Sequence, residues 1–73
     1  MRLIQVFVPA ESHEAVREAL GEMGVEFVFG DAEGRREGSL AYVPVPTGAV
    51  ETVLRRLYDA GLDRDTYTVV TDV

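Results

Sequence analysis

The chain has 73 residues, enough for one small domain, residues 1–73, with a modest core. It has no cysteine, which excludes a disulfide or a thiolate metal site as a staple. Thirteen acids stand against seven arginines, and lysine is absent; this net charge of -6 disfavours nucleic-acid phosphates and anionic membrane surfaces.

The apolar share is 47%, ordinary for a folded domain and high for a disordered one. No apolar run approaches the ~18 residues of a spanning helix. The N-terminus lacks the basic-then-apolar pattern of a signal peptide. A soluble, intracellular domain is therefore expected. The acidic balance has two readings: a generic acidic surface, or adaptation to a high-salt cytosol.

The second half of the chain repeats the first. A slide of 37 positions lays Val6, Val8, Pro9, Glu14, Val16, Leu20 and Gly24 on Val43, Val45, Pro46, Glu51, Val53, Leu57 and Gly61. Each half reads strand, proline, helix, glycine, strand.

In chain order, Arg2 to Val8 alternates, with Ile4, Val6 and Val8 on one face and Leu3, Gln5 and Phe7 on the other. Both faces are apolar, as in a central strand. Pro9 ends it, having no N–H for the ladder. Residues 11–23 follow a helical period. Ala15, Val16, Ala19, Leu20 and Met23 form the apolar stripe, and Glu14, Arg17, Glu18 and Glu22 face water. Ser12 is a candidate cap, although the repeat puts the start nearer Ala10. Gly24 is placed to take the left-handed conformation that stops a helix.

Val25 to Phe29 is predicted as the second strand, with Val25, Phe27 and Phe29 on one face. Gly30 to Gly38, reading GDAEGRREG, is predicted as a hairpin connection, with frayed strand at its ends. Ser39 to Val45 is the third strand; Ala41, Val43 and Val45 point inward, and Leu40, Tyr42 and Pro44 outward. Thr47 is positioned to cap a second helix that runs to about Ala60. Its stripe is Ala49, Val50, Val53, Leu54 and Leu57, with Tyr58 at the edge. Glu51–Arg55 and Arg55–Asp59 have i,i+4 spacing for surface ion pairs. Gly61 closes that helix, Leu62 packs back on it, and Asp63 to Asp65 makes a turn. Tyr67 to Val73, rich in β-branched residues, is the fourth strand. It reaches the last residue, so the chain is expected to be part of something longer.

The order β-α-β-β-α-β, with right-handed crossovers in each half, predicts an α+β, ferredoxin-like split β-α-β sandwich. Two helices should cover one face of a four-stranded antiparallel sheet of order 4-1-3-2. The other face should display Leu3, Gln5, Phe7, Leu40, Tyr42 and Pro44, with Val28 on a flank. That set is too apolar for a plain solvated surface and is the candidate interface. Aromatic residues on central strands also serve RNA-recognition domains. Here their consensus is missing, and the one basic cluster, Arg35-Arg36, is offset by Glu33 and Glu37, so nucleic-acid binding is not expected.

No catalytic residue is identified. His13 is the only histidine, matches Val50 in the repeat, and has no orienting partner in the sequence. No cluster has metal-ligand spacing, and Asp59, Asp63 and Asp65 resemble a calcium turn only in composition. No cofactor is expected. Candidate ligand or anion contacts are Arg35 and Arg36 between Gly34 and Gly38, and Thr47 and Gly48 at the second helix start. The equivalent first helix start carries Glu11, which repels an anion. The plainer reading of Arg35-Arg36 is a solvated hairpin tip; the chain lacks the strand, lysine and helix of a P-loop.

The segments MRLIQVFVP, GVEFVF and VPVPTGAVETVLRRLYDAGLDRDTYTVV together resemble the N-terminal part of a family of uncharacterised membrane proteins. That family is built around domain of unknown function 389 and is common in halophilic archaea. The resemblance spans essentially the whole chain and is strongest at the opening strand with Pro9 and from Pro44 to Val70. It implies a cytoplasmic domain ahead of a multi-helix membrane region, acid-rich for high salt, with no active residues to carry over. The fold also resembles small regulatory modules such as amino-acid-binding ACT domains and PII proteins, by analogy of architecture alone. The expected function is that of a non-enzymatic regulatory or assembly domain of a membrane protein. It would self-associate or pack on an adjacent domain through the open sheet face. A small-molecule or anion-binding sensory module is the alternative.

Overall fold

The computed structural model describes residues 1–73. It is an α+β fold with strands β1 (Arg2–Pro9), β2 (Val28–Ala32), β3 (Gly38–Val45) and β4 (Thr68–Asp72) and helices α1 (His13–Met23) and α2 (Val50–Asp59). Every strand pairing is antiparallel, and the sheet order is β2-β3-β1-β4, which read from the other edge is 4-1-3-2. The two longest strands, β1 and β3, are central and pair from Arg2 opposite Val45 to Pro9 opposite Gly38.

Alternation sorts the central strands into two faces. Ile4, Val6, Val8, Ala41, Val43 and Val45 are fully buried. They join Val16, Ala19 and Leu20 of α1, Val53 and Leu57 of α2, and Leu62 in one core. Both helices therefore lie on the same side of the sheet. A side chain as large as Leu20 or Leu57 contributes about 1.5–3 kcal/mol through that burial.

The repeat is reproduced in backbone angles. Each strand-to-helix junction is a proline in extended conformation, Pro9 at φ -58, ψ 151 and Pro46 at φ -60, ψ 148. Each proline leads into a three-residue 3-10 turn, Ala10–Ser12 or Thr47–Ala49. The last residue of each turn also matches, Ser12 at -101, -2 and Ala49 at -98, -6. Neither helix start has a side-chain cap hydrogen bond, so Thr47 does not act as the expected cap, and the first turn starts at Ala10, as the repeat suggested, without a cap from Ser12. Proline sets φ instead, and the 3-10 turn closes through the backbone, as where the Ala49 N–H donates to the Pro46 carbonyl at 2.9 Å. Both helices end at a glycine with positive φ, Gly24 at 70 and Gly61 at 110.

Four other expectations need correction. First, β2 begins at Val28, not Val25, and includes Gly30 to Ala32, so the hairpin connection shrinks to residues 33–37. Val25, Phe27 and Phe29 still pack on the core while Glu26 and Val28 are exposed. The alternation there reflects burial under the helices and not a ladder. Pro44 supplies a reason: the β2–β3 ladder stops at Val28 opposite Tyr42, two residues before a strand residue would face a proline without an N–H. Second, Ala15 is exposed, so the α1 stripe is narrower than its period suggested. Third, the ion pairs Glu51–Arg55 and Arg55–Asp59 are absent; the helices are instead linked by Arg56 and Glu22 at 3.9 Å. Fourth, β4 is the shorter Thr68–Asp72. The Phe7 N–H donates to the Tyr67 carbonyl, and the Val73 N–H to the Met1 carbonyl, continuing the contact with β1 at either end.

Candidate interaction face

Residues directly opposite one another in a sheet share a face. The register therefore assigns the outward positions. Leu3 faces Pro44 and Thr71, Gln5 faces Tyr42 and Val69, and Phe7 faces Leu40; Val28 and Gly30 continue the rows beyond Tyr42 and Leu40. The face is thus four strands wide and carries no charged side chain, in a chain of which 27% is charged. Leu3, Gln5, Phe7, Leu40, Tyr42 and Pro44 are all half-buried although nothing covers them, and Val28 is 66% exposed.

Two glycines explain how uncovered aromatic rings become half-buried. A Cβ on Gly38 would lie 2.6 Å from Phe7 Cζ and would also strike the Val8 carbonyl. A Cβ on Gly30 would lie 3.1 Å from Tyr42 Cε2. Each ring therefore lies down across a glycine on the neighbouring strand, diagonal to its own position. This shields backbone that glycine leaves bare and flattens the face. Alternation along the strands predicts Phe7 and Tyr42 outward. It offered no sign of the glycine rests, and it left the fourth strand unsorted; Tyr67 and Val69 extend the face on that side, with Tyr67 59% exposed.

At one end of the face, residues 33–37 rise beside Phe7, Leu40 and Tyr67 and form a shallow groove of about 540 Å³ whose rim holds Arg35, Arg36, Asp31 and Glu33. Arg36 is engaged within the chain: its Nη2 donates to Glu11 Oε2 at 3.4 Å, and its guanidinium carbon stands 5.9 Å from the Phe7 ring centre. Arg35 is exposed and has no ion-pair partner. Thr47 and Gly48, also exposed, follow Pro46 at the opposite end of the central strands, because Gly38 and Val45 mark the two ends of β3. Eight strand residues put roughly 24 Å between those ends. The two candidate ligand clusters therefore cannot form one site.

His13 leans on Phe29, ring centres 4.4 Å apart, with its Nδ1 3.5 Å from the Ser39 hydroxyl. It acts as a packed spacer at the helix start. The acidic turn is explained locally: the Asp65 N–H donates to Asp63 Oδ1 at 2.9 Å, and the Thr66 N–H to the Asp63 carbonyl at 3.1 Å. No three His, Cys, Asp or Glu side chains are grouped so as to hold a metal ion. No helix is long and apolar enough to cross a membrane. Among known proteins, no family profile and no curated sequence matches the chain significantly.

Proposed function

We propose that this domain is a non-enzymatic assembly module, ferredoxin-like in topology, whose open sheet face docks on a second copy of itself. The observation that carries the reading is the absence of charge from a four-stranded face in a strongly charged chain. Solvated strand positions can be polar at no cost to the core, so an uncharged outer row suits a surface that loses its water. A second copy is the simplest occupant, because packed sheets approach to ~10 Å and a two-fold axis pairs an apolar face with its own image.

The size of the face sets the strength. Four strands ~4.8 Å apart and about five residues long project roughly 330 Å². A standard stable interface buries about 800 Å² per partner, so the association is weak. It is also opposed by two charges of -6. Their repulsion is screened within about 10 Å at 0.1 M salt, so association tightens as salt rises. The sequence resemblance to N-terminal segments of membrane proteins supports a role in bringing such chains together on the cytoplasmic side.

Sedimentation equilibrium at low and high salt tests this reading. Self-association should strengthen with salt, and Leu3→Asp, which puts a charge in the face, should weaken it about tenfold or more while leaving the far-ultraviolet spectrum unchanged. A strict monomer at every salt, or a Leu3→Asp variant that associates like the parent, overturns it.

The groove under residues 33–37 favours a second reading, a small ligand with an apolar part over Phe7 and Leu40 and an anionic group toward Arg35. Titration with amino acids, nucleotides and simple anions should then shift NMR signals of residues 34–38; silence there removes it.

A further inference from the structure

The outer edge of β4 is a second, separate surface. It carries five consecutive residues, Thr68–Asp72, paired on one side only. Their hydrogen-bond directions follow from two bonds at the strand's ends. The Phe7 N–H donates to the Tyr67 carbonyl, and the Val73 N–H donates to the Met1 carbonyl. In an antiparallel ladder, hydrogen-bonded pairs alternate with pairs that point away. The odd residues Tyr67, Val69, Thr71 and Val73 therefore turn their N–H and C=O groups toward β1. The even residues Thr68, Val70 and Asp72 turn theirs to the open edge.

Exposed edges are ordinarily blunted by proline, a bulge, or charge. This one has no proline, and its single charged residue, Asp72, sits 2.9 Å from Arg2 Nε, its direct cross-strand neighbour. That contact is close in distance but not aligned as a hydrogen bond, so it neutralises the carboxylate without fixing it. The other edge is different. β2 carries Gly30 and an exposed Asp31 without an ion-pair partner at its middle. Self-pairing there would bring two carboxylates together.

We infer that β4 pairs antiparallel with β4 of a second copy about a two-fold axis at Val70. In this register Val70 faces the partner's Val70, and Thr68 faces the partner's Asp72. Every facing residue then presents its outward N–H and C=O, giving about six inter-chain hydrogen bonds. Side chains of equal parity meet, so core face continues into core face and the uncharged face grows from four strands to eight. The two Asp72 carboxylates end up about 14 Å apart, beyond the screening length at moderate salt. Doubling the face also brings its projected area nearer to that of a stable interface. This pairing goes beyond the face-to-face reading and does not depend on it.

Residue-resolved amide hydrogen exchange at low and high protein concentration tests the inference on the unaltered chain. The Val69 and Thr71 amides should be protected at both concentrations. The Thr68, Val70 and Asp72 amides should exchange rapidly when dilute and slow at least tenfold when concentrated. Fast exchange at Val70 in an associated sample overturns the pairing, as does a monomer at all concentrations. Val70→Pro removes an amide with no partner inside the chain, so it should abolish edge-paired species; if it associates normally, the pairing is wrong. Leu3→Asp separates the two readings. Association that survives Leu3→Asp with Val70 protected supports the edge alone, and association lost in Leu3→Asp without Val70 protection in the parent overturns the edge.

Discussion

One sheet presents two faces built from alternate residues of the same strands, and the two obey different rules. On the helix side Ile4, Val6, Val8, Ala41, Val43 and Val45 are fully enclosed, and their neighbours come from both helices. On the open side Leu3, Gln5, Phe7, Leu40, Tyr42 and Pro44 are only half-buried, yet none is charged. Burial explains the first pattern. The second is unexplained by the folding of one copy, since period-two alternation leaves the outer row free to be polar. The proposed docking of the open face would account for that difference.

The comparison can be broken most forcefully from the core. Leu57→Ala leaves a cavity between α2 and the sheet and should cost about 2–5 kcal/mol, a large part of what a domain this small can hold. Urea unfolding measures it; a loss below 1 kcal/mol would mean the helix side is not the stabilising face. The glycines under the aromatic rings offer a finer test. Gly38→Ala meets a backbone carbonyl as well as the Phe7 ring, and should cost about 1–3 kcal/mol. Gly30→Ala meets only the Tyr42 ring edge at 3.1 Å, which can swing aside, so it should cost less than Gly38→Ala. Equal thermal shifts for the two would show that the rings do not lie down as described. The smallest effect belongs to the rim. Arg36→Gln breaks an ion pair with Glu11 whose partners are both more than half exposed, and should change stability by no more than about 0.5 kcal/mol. A larger change in thermal unfolding would make residues 33–37 a structural clasp and not a solvated tip.

Much of the architecture was legible because it repeats. Proline after a strand, a helical stripe, and glycine at a helix end are local signals, and each appears twice. The second strand was misplaced for a physical reason. Val25, Phe27 and Phe29 alternate because they pack on the core, while the ladder partner for residues 25–27 would be the stretch of β3 containing Pro44. Alternation reports burial and cannot by itself report hydrogen bonding. The cap expected at Thr47 failed similarly: it occupies the right neighbourhood, but Pro46 had already set the turn, while the first turn starts at Ala10, where the repeat placed it.

The candidate site was only half legible. Leu3, Phe7, Leu40, Tyr42 and Pro44 could be assigned outward by counting in twos. The contacts that shape them could not, because they join residues distant in sequence. Arg36 meets Glu11 across 25 positions, and the Thr66 hydroxyl donates to the Phe7 carbonyl across 59. Nothing local encodes such partners.

By itself the sequence determined the order of the elements, the two-fold internal repeat, the inward row of the central strands and the acidic surface, since propensity, period and composition act over a few residues. Only the tertiary structure decided that Phe7 and Tyr42 rest on Gly38 and Gly30, that Arg36 is already paired, that Arg35 and Thr47 lie at opposite ends, and which amides of β4 face outward. Those outcomes depend on strand register, and register is set by how the whole chain packs.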